Sequence, residues 1–114
     1  MTTDIQQTRI DLAAAYRSAA RMGLNEGICN HFTMMVPGSQ TNFLLIPYGE
    51  HWSEVTASSL IEVDLDGNVI EGDGIAEDTA FCIHAPIHRA RADARCLLHT
   101  HMPFATALPM LEDF

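Results

Sequence analysis

Positive charge is scarce in this sequence: six Lys+Arg stand against fifteen Asp+Glu, a formal net charge of −9 with His neutral and a sequence pI of about 4.8. A field of that sign repels phosphate backbones and anionic lipids, which excludes a general nucleic-acid binder. Long apolar runs are missing as well. No stretch approaches the ~20 residues needed to cross a bilayer, and Met1 to Gln7 has neither a basic nor an apolar leader region, so a cytoplasmic location is expected. Cys29, Cys82 and Cys96 are odd in number, scattered and without a CxxC pair. They read as reduced, partly buried thiols rather than a disulfide frame or a cysteine zinc site. Repeats, low-complexity tracts and linkers are absent too. What remains is ordinary for one globular domain: 114 residues, 47% apolar and 18% charged.

Apolar residues at Ile5, Leu12, Tyr16, Ala19, Ala20 and Met22 follow a period of 3.6 and predict an amphipathic helix over Asp4 to Met22. Thr3 and Gln6 form a capping-box pattern at its start, and Gly23 suits the left-handed position after its end. The runs His31 to Val36 and Asn42 to Ile46, split by Pro37-Gly38-Ser39-Gln40, predict a hairpin. Thr56 to Leu60 reads as one helical turn capped by Thr56. Ile61 to Asp64 and Asn68 to Ile70, around an Asp-Gly turn, form a second hairpin. Asp78 or Thr79 is expected to cap a helix to about Arg91, kinked or loosened by Pro86. Ala94 to His101 reads as a strand with Cys96-Leu97-Leu98 buried, and Pro103 opens a last helix that Pro109 interrupts. The order predicts a single α/β domain over residues 1–114. Met110 to Phe114 resembles the middle of a chain, so a piece of a longer domain is expected.

Chemistry concentrates in the histidines. On a strand, His99 and His101 at i and i+2 share a face, so both imidazoles can converge on one ion at ~2.0–2.1 Å. A bland surface pair is the alternative. A divalent site needs further ligands, for which His31, His51, His84, His88, the carboxylates or a histidine outside this chain are the candidates. His84-Ala85-Pro86-Ile87-His88 lacks the Glu of HExxH and carries a Pro, so a zincin is rejected. At least one of that pair is expected to pack as a hydrogen-bonded core or interface histidine. Gly27 to Thr33 offers backbone N–H groups with Asn30, His31 and Thr33 side chains, a pocket for an anion or carbonyl. A simple turn is the plainer reading of it. Glu71 to Asp78 lacks EF-hand spacing and reads as a solvated loop.

Asn30-His31-Phe32-Thr33, Leu45-Ile46-Pro47-Tyr48-Gly49, Val63 to Gly67, His84 to Arg91 and Cys96 to His101 occur in an order that resembles the class II aldolase and adducin-head family, from about Ile10 to Leu111. The resemblance implies a three-layer α/β/α fold of which this chain is the N-terminal half. It also implies a homotetramer with active sites near subunit boundaries. Zinc, or another divalent ion at one per subunit, would be held by His99, His101 and a third histidine beyond Phe114. Substrate binding would fall to Asn30, His31, Thr33, Tyr48 and Gly49. In the family's sugar-phosphate aldolases a glutamate four residues before the helix histidine is metal ligand and acid/base, and Ala80 stands there in this sequence. The serine pair that holds the substrate phosphate corresponds to Asp78 and Thr79, and the phosphate-binding Asn to His31, with Asn30 in place of a glycine. These departures point to the adducin-type branch; Glu77, one helical turn before that position, is a shifted carboxylate that no motif supports. The expectation is a metal-dependent lyase on an unphosphorylated hydroxy-carbonyl compound. A noncatalytic adducin-like self-association or binding module and an inactive truncated fragment are the alternatives.

Overall fold

The computed structural model describes residues 3–113. Helix α1 spans Asp4–Arg21; the Thr3 side chain accepts from the Gln6 N–H while the Gln6 side chain accepts from the Thr3 N–H, the expected capping box. Gly23 follows with φ +72°, the left-handed conformation that a glycine adopts without a Cβ penalty.

Five strands follow: β1 (Phe32–Met35), β2 (Asn42–Leu45), β3 (Ile61–Asp64), β4 (Val69–Glu71) and β5 (Cys96–Leu98). They form one antiparallel sheet in the order β4-β3-β2-β1-β5. Both predicted hairpins are present. Alternation along the strands divides the core between two faces. Phe32 points to α1, where it packs with Tyr16 and Trp52, and Thr33 points to helix α2 (Asp78–Ala90). The sheet is thus covered by a helix on each side, the α/β/α layering that the resemblance implied. Tyr16 is fully buried; its hydroxyl donates to the Phe32 carbonyl at 2.5 Å and accepts from the Phe32 N–H at 2.8 Å. Tyr16→Phe removes both bonds and leaves the N–H of β1 without a partner. The expected loss is about 1–2 kcal/mol of unfolding free energy, read from urea melts.

Four local expectations need correction. The turn of helix in the β2–β3 connection is a 3-10 turn over Trp52–Glu54, and its capping side chain is His51. Thr56 instead closes a tight turn by accepting from the Ser59 N–H. The cap of α2 is Glu77, whose carboxylate accepts from the Ala80 N–H at 2.8 Å, and α2 continues as a helix through Pro86. Pro86 lacks the N–H that would have bonded the Cys82 carbonyl. The last strand stops at Leu98, short of His99 and His101, and Cys96 and Leu98 are exposed because β5 is an edge strand. Cys29, Cys82 and Cys96 are all exposed rather than partly buried. Helix α3 (Pro103–Ala107) opens on Pro103 as expected and buries no residue. Among the described residues, no helix is long and apolar enough to cross a membrane.

Candidate metal and substrate site

The site lies where the start of β1 meets the end of β5. The His99 N–H donates to the His31 carbonyl at 3.0 Å, which extends the β1–β5 ladder by one residue and sets the two rings side by side. Thr33, one pleat further along β1, faces α2. His84 and His88, a helical turn apart on α2, both reach the Thr33 hydroxyl, at 2.6 Å from His84 Nδ1 and 2.8 Å from His88 Nε2. Both are buried, so the expected core histidine is in fact a pair.

The contacts form one continuous chain. His88 Nδ1 lies 2.9 Å from the Ala94 carbonyl, and Thr33 joins His88 to His84. His84 Nε2 is 2.8 Å from His31 Nδ1, which is 3.4 Å from His99 Nδ1. His99 Nε2 and His101 Nε2 approach to 2.9 Å, and His101 Nδ1 meets the Glu26 carboxylate. Burial lowers the pKa of His31 to about 4, helped by His99 beside it, and lowers that of His84 to about 3, helped by His31 and His88. Burial also pulls His88 and His99 below the usual imidazole range. All four rings are therefore neutral near pH 7, the form in which an imidazole nitrogen can ligate a metal.

Two subsets of this chain suit a cation. His31, His84 and His99 each present a ring nitrogen within 4.8 Å of the others and could hold a metal ion. His99 and His101 turn their Nε2 atoms toward each other, close to the separation of about 3.3 Å that two nitrogens in a tetrahedral zinc site would have. Glu26 behind His101 is the kind of carboxylate that orients a ligating ring. No motif announces Glu26, which comes from 75 residues away in the sequence. The predicted strand geometry is replaced here by a loop, yet the two imidazoles still converge.

The residues expected to bind substrate separate into two groups. Asn30, His31, Tyr48 and Gly49 line one narrow cavity with Glu77 and Ala80. Thr33 belongs to the buried chain beneath it. Asn30 is 1% exposed and spends its side chain on the loop, accepting from the Glu26 N–H and donating to the Leu24 carbonyl, so the turn reading holds for that residue. Tyr48 is exposed, and Gly49 has φ +88°. Burial opposes the charged form of Glu77, but the backbone N–H groups of Thr79 and Ala80 hold its carboxyl below the usual range. His51 caps its 3-10 turn and stays outside the cluster.

The sequence model of the family described as Class II Aldolase and Adducin N-terminal domain matches residues 10–113. An adducin-related protein of Schizosaccharomyces pombe is 45% identical over 112 residues, covering 92% of this chain and 35% of that protein. Two solved structures share the fold. An aldolase II superfamily protein from Pseudomonas syringae has a TM-score of 0.88 at 36% identity, covering 99% of this chain and 46% of its own. An L-fuculose 1-phosphate aldolase from Glaciozyma antarctica has a TM-score of 0.82 at 30% identity, covering 90% and 43%. The chain thus spans between a third and a half of the length of these relatives. Sequence, layered fold and the histidine-lined end of the sheet agree on one assignment: the chain belongs to the class II aldolase and adducin family.

Proposed function

We propose that this chain carries the metal-binding half of a lyase acting on an unphosphorylated hydroxy-carbonyl compound. The observation that carries this reading is the approach of His99 Nε2 to His101 Nε2 at 2.9 Å, with Glu26 behind the second ring. Imidazole donors suit zinc, and a further histidine from outside this chain would complete the set. A divalent ion there would supply Lewis acidity to a substrate carbonyl oxygen. The chain's own residues do the rest. Glu26 orients His101, and the His31 main chain holds His99 in register through its carbonyl. Glu77 occupies the α2 N-terminus, the place a phosphate would take, so a neutral substrate fits better than a phosphorylated one. Assembly as a homotetramer with sites near subunit boundaries is part of this reading.

Ala80 favours a second reading. It is 1% exposed and brings no acid/base group to the position where the family's sugar-phosphate aldolases carry one. A noncatalytic member that uses the fold for self-association would have no need of one. Elemental mass spectrometry with native mass, on this chain and on His99→Ala/His101→Ala, tests the metal reading. About one ion per chain is expected once a C-terminally extended form supplies the further histidine, falling to background in the double variant. A C-terminally extended protein, loaded with zinc and assayed for aldehyde release, separates the two functions: turnover abolished by His99→Ala supports the lyase, and full metal occupancy without turnover supports the module.

A further inference from the structure

The buried chain of rings has a direction, fixed from one end. The Ala94 carbonyl can only accept, so His88 Nδ1 must donate to it, and a buried neutral ring is then left with a bare Nε2. The single Thr33 hydroxyl proton goes to that nitrogen, which obliges Thr33 Oγ1 to accept from His84 Nδ1–H. His84 Nε2 is then bare in turn and accepts from His31 Nδ1–H at 2.8 Å. His31 is 2% exposed, and its Nε2 is buried without a hydrogen-bond partner. Each step leaves one choice, and the last step leaves a lone pair at His31 Nε2.

His31 is also a wall of the cavity shared with Asn30, Tyr48, Gly49 and Ala80. Its volume of about 20 Å³ is room for one water or one hydroxyl. Glu50 and Glu77 also line it, and both disfavour an anion. A bare buried nitrogen costs free energy until a donor reaches it.

We propose that the Ala94–His88–Thr33–His84 chain locks His31 Nε2 as a hydrogen-bond acceptor that recognises a hydroxyl of a neutral polyol or hydroxy-carbonyl ligand and rejects phosphate. The proposal rests on the substrate class inferred above and deepens it: His31 becomes the residue that selects for a donor, and Thr33, His84 and His88 become positioning residues that act through it.

The test uses ¹⁵N-labelled chain stripped of metal with EDTA, so its outcome is independent of whether His99 and His101 bind zinc. Long-range ¹H–¹⁵N spectra at pH 7, with His31 assigned by loss of its signals in His31→Gln, are expected to show a proton on Nδ1 and a bare Nε2. A proton on Nε2, or averaging between the two nitrogens, overturns the proposal. Dihydroxyacetone, the smallest ketone with two hydroxyls, is expected to shift the Nε2 resonance saturably, and inorganic phosphate to leave it in place. A shift with phosphate, or none with dihydroxyacetone, overturns it as well. Thr33→Val breaks the direction of the chain and is expected to free the His31 tautomer and weaken dihydroxyacetone binding roughly tenfold. An unchanged tautomer in a folded Thr33→Val also counts against it, and the wild-type spectra stand as a test even where that variant does not fold.

Discussion

Thr33→Val is expected to lower the unfolding free energy by about 2–5 kcal/mol, a large share of the 5–15 kcal/mol typical of a domain. Thr33 is fully buried, and its one oxygen serves two buried rings. Valine matches its shape, so packing is kept and the cost comes from polar groups. His84 Nδ1–H loses its acceptor and His88 Nε2 loses its donor, each about 1–3 kcal/mol when left unpaired in the interior. Thr33→Ser keeps the hydroxyl, removes one methyl, and is expected to cost about 1 kcal/mol. Urea unfolding followed by tryptophan fluorescence reads both, since Trp52 sits in the core. A larger loss in Thr33→Ser than in Thr33→Val would mean that the methyl, not the hydroxyl, holds this region together.

Acidification is the second large effect. An unfolded imidazole titrates near 6.5, whereas folding lowers His31 to about 4 and His84 to about 3. Between those values the unfolded chain takes up protons that the folded chain refuses, so stability is full above pH 6.5 and is lost as pH falls toward 4. Each ring contributes a slope of at most about 1.4 kcal/mol per pH unit. Over pH 6.5 to 5, where ordinary carboxylates stay ionised, the pair is expected to remove about 2–4 kcal/mol. Urea midpoints at pH 7.5, 6.0 and 5.0 measure it. A midpoint that does not move over this range would mean that the rings reach solvent.

The parts of the fold that were legible in the sequence are those decided within a few residues. The Thr3–Gln6 box, Gly23, and the turns at Pro37-Gly38 and Asp66-Gly67 carry their own geometry, and α1 and both hairpins came out close to the expected bounds. The helical turn was displaced from Trp52–Glu54 to Thr56 because Thr56 and Ser59 carry the stronger side-chain cap signal, although it serves only a tight turn. Cys96-Leu97-Leu98 looked buried because apolar letters do not say whether another layer lies over them; among the described residues none covers Cys96 or Leu98 on the edge strand β5. The histidine pairs were visible one by one. Their union was not, because it spans 51 to 68 residues and is made by strand pairing and helix docking rather than by spacing. The family resemblance supplied the layered fold, and it pointed to His99 and His101 without the Glu26 carboxylate that backs them.

The meeting of His31 with His99 has a bearing on how the protein reaches its native state. Neighbouring hairpins close short loops, whereas this contact closes one of 68 residues. Loop-closure entropy grows with length, and contacts of long separation slow folding. The β1–β2–β3–β4 meander therefore has reason to form first, with β5 and the histidine-bearing α2 closing over it afterwards. The histidine-lined end of the sheet would be the last region to gain protection during refolding, and the first to open when the native state fluctuates.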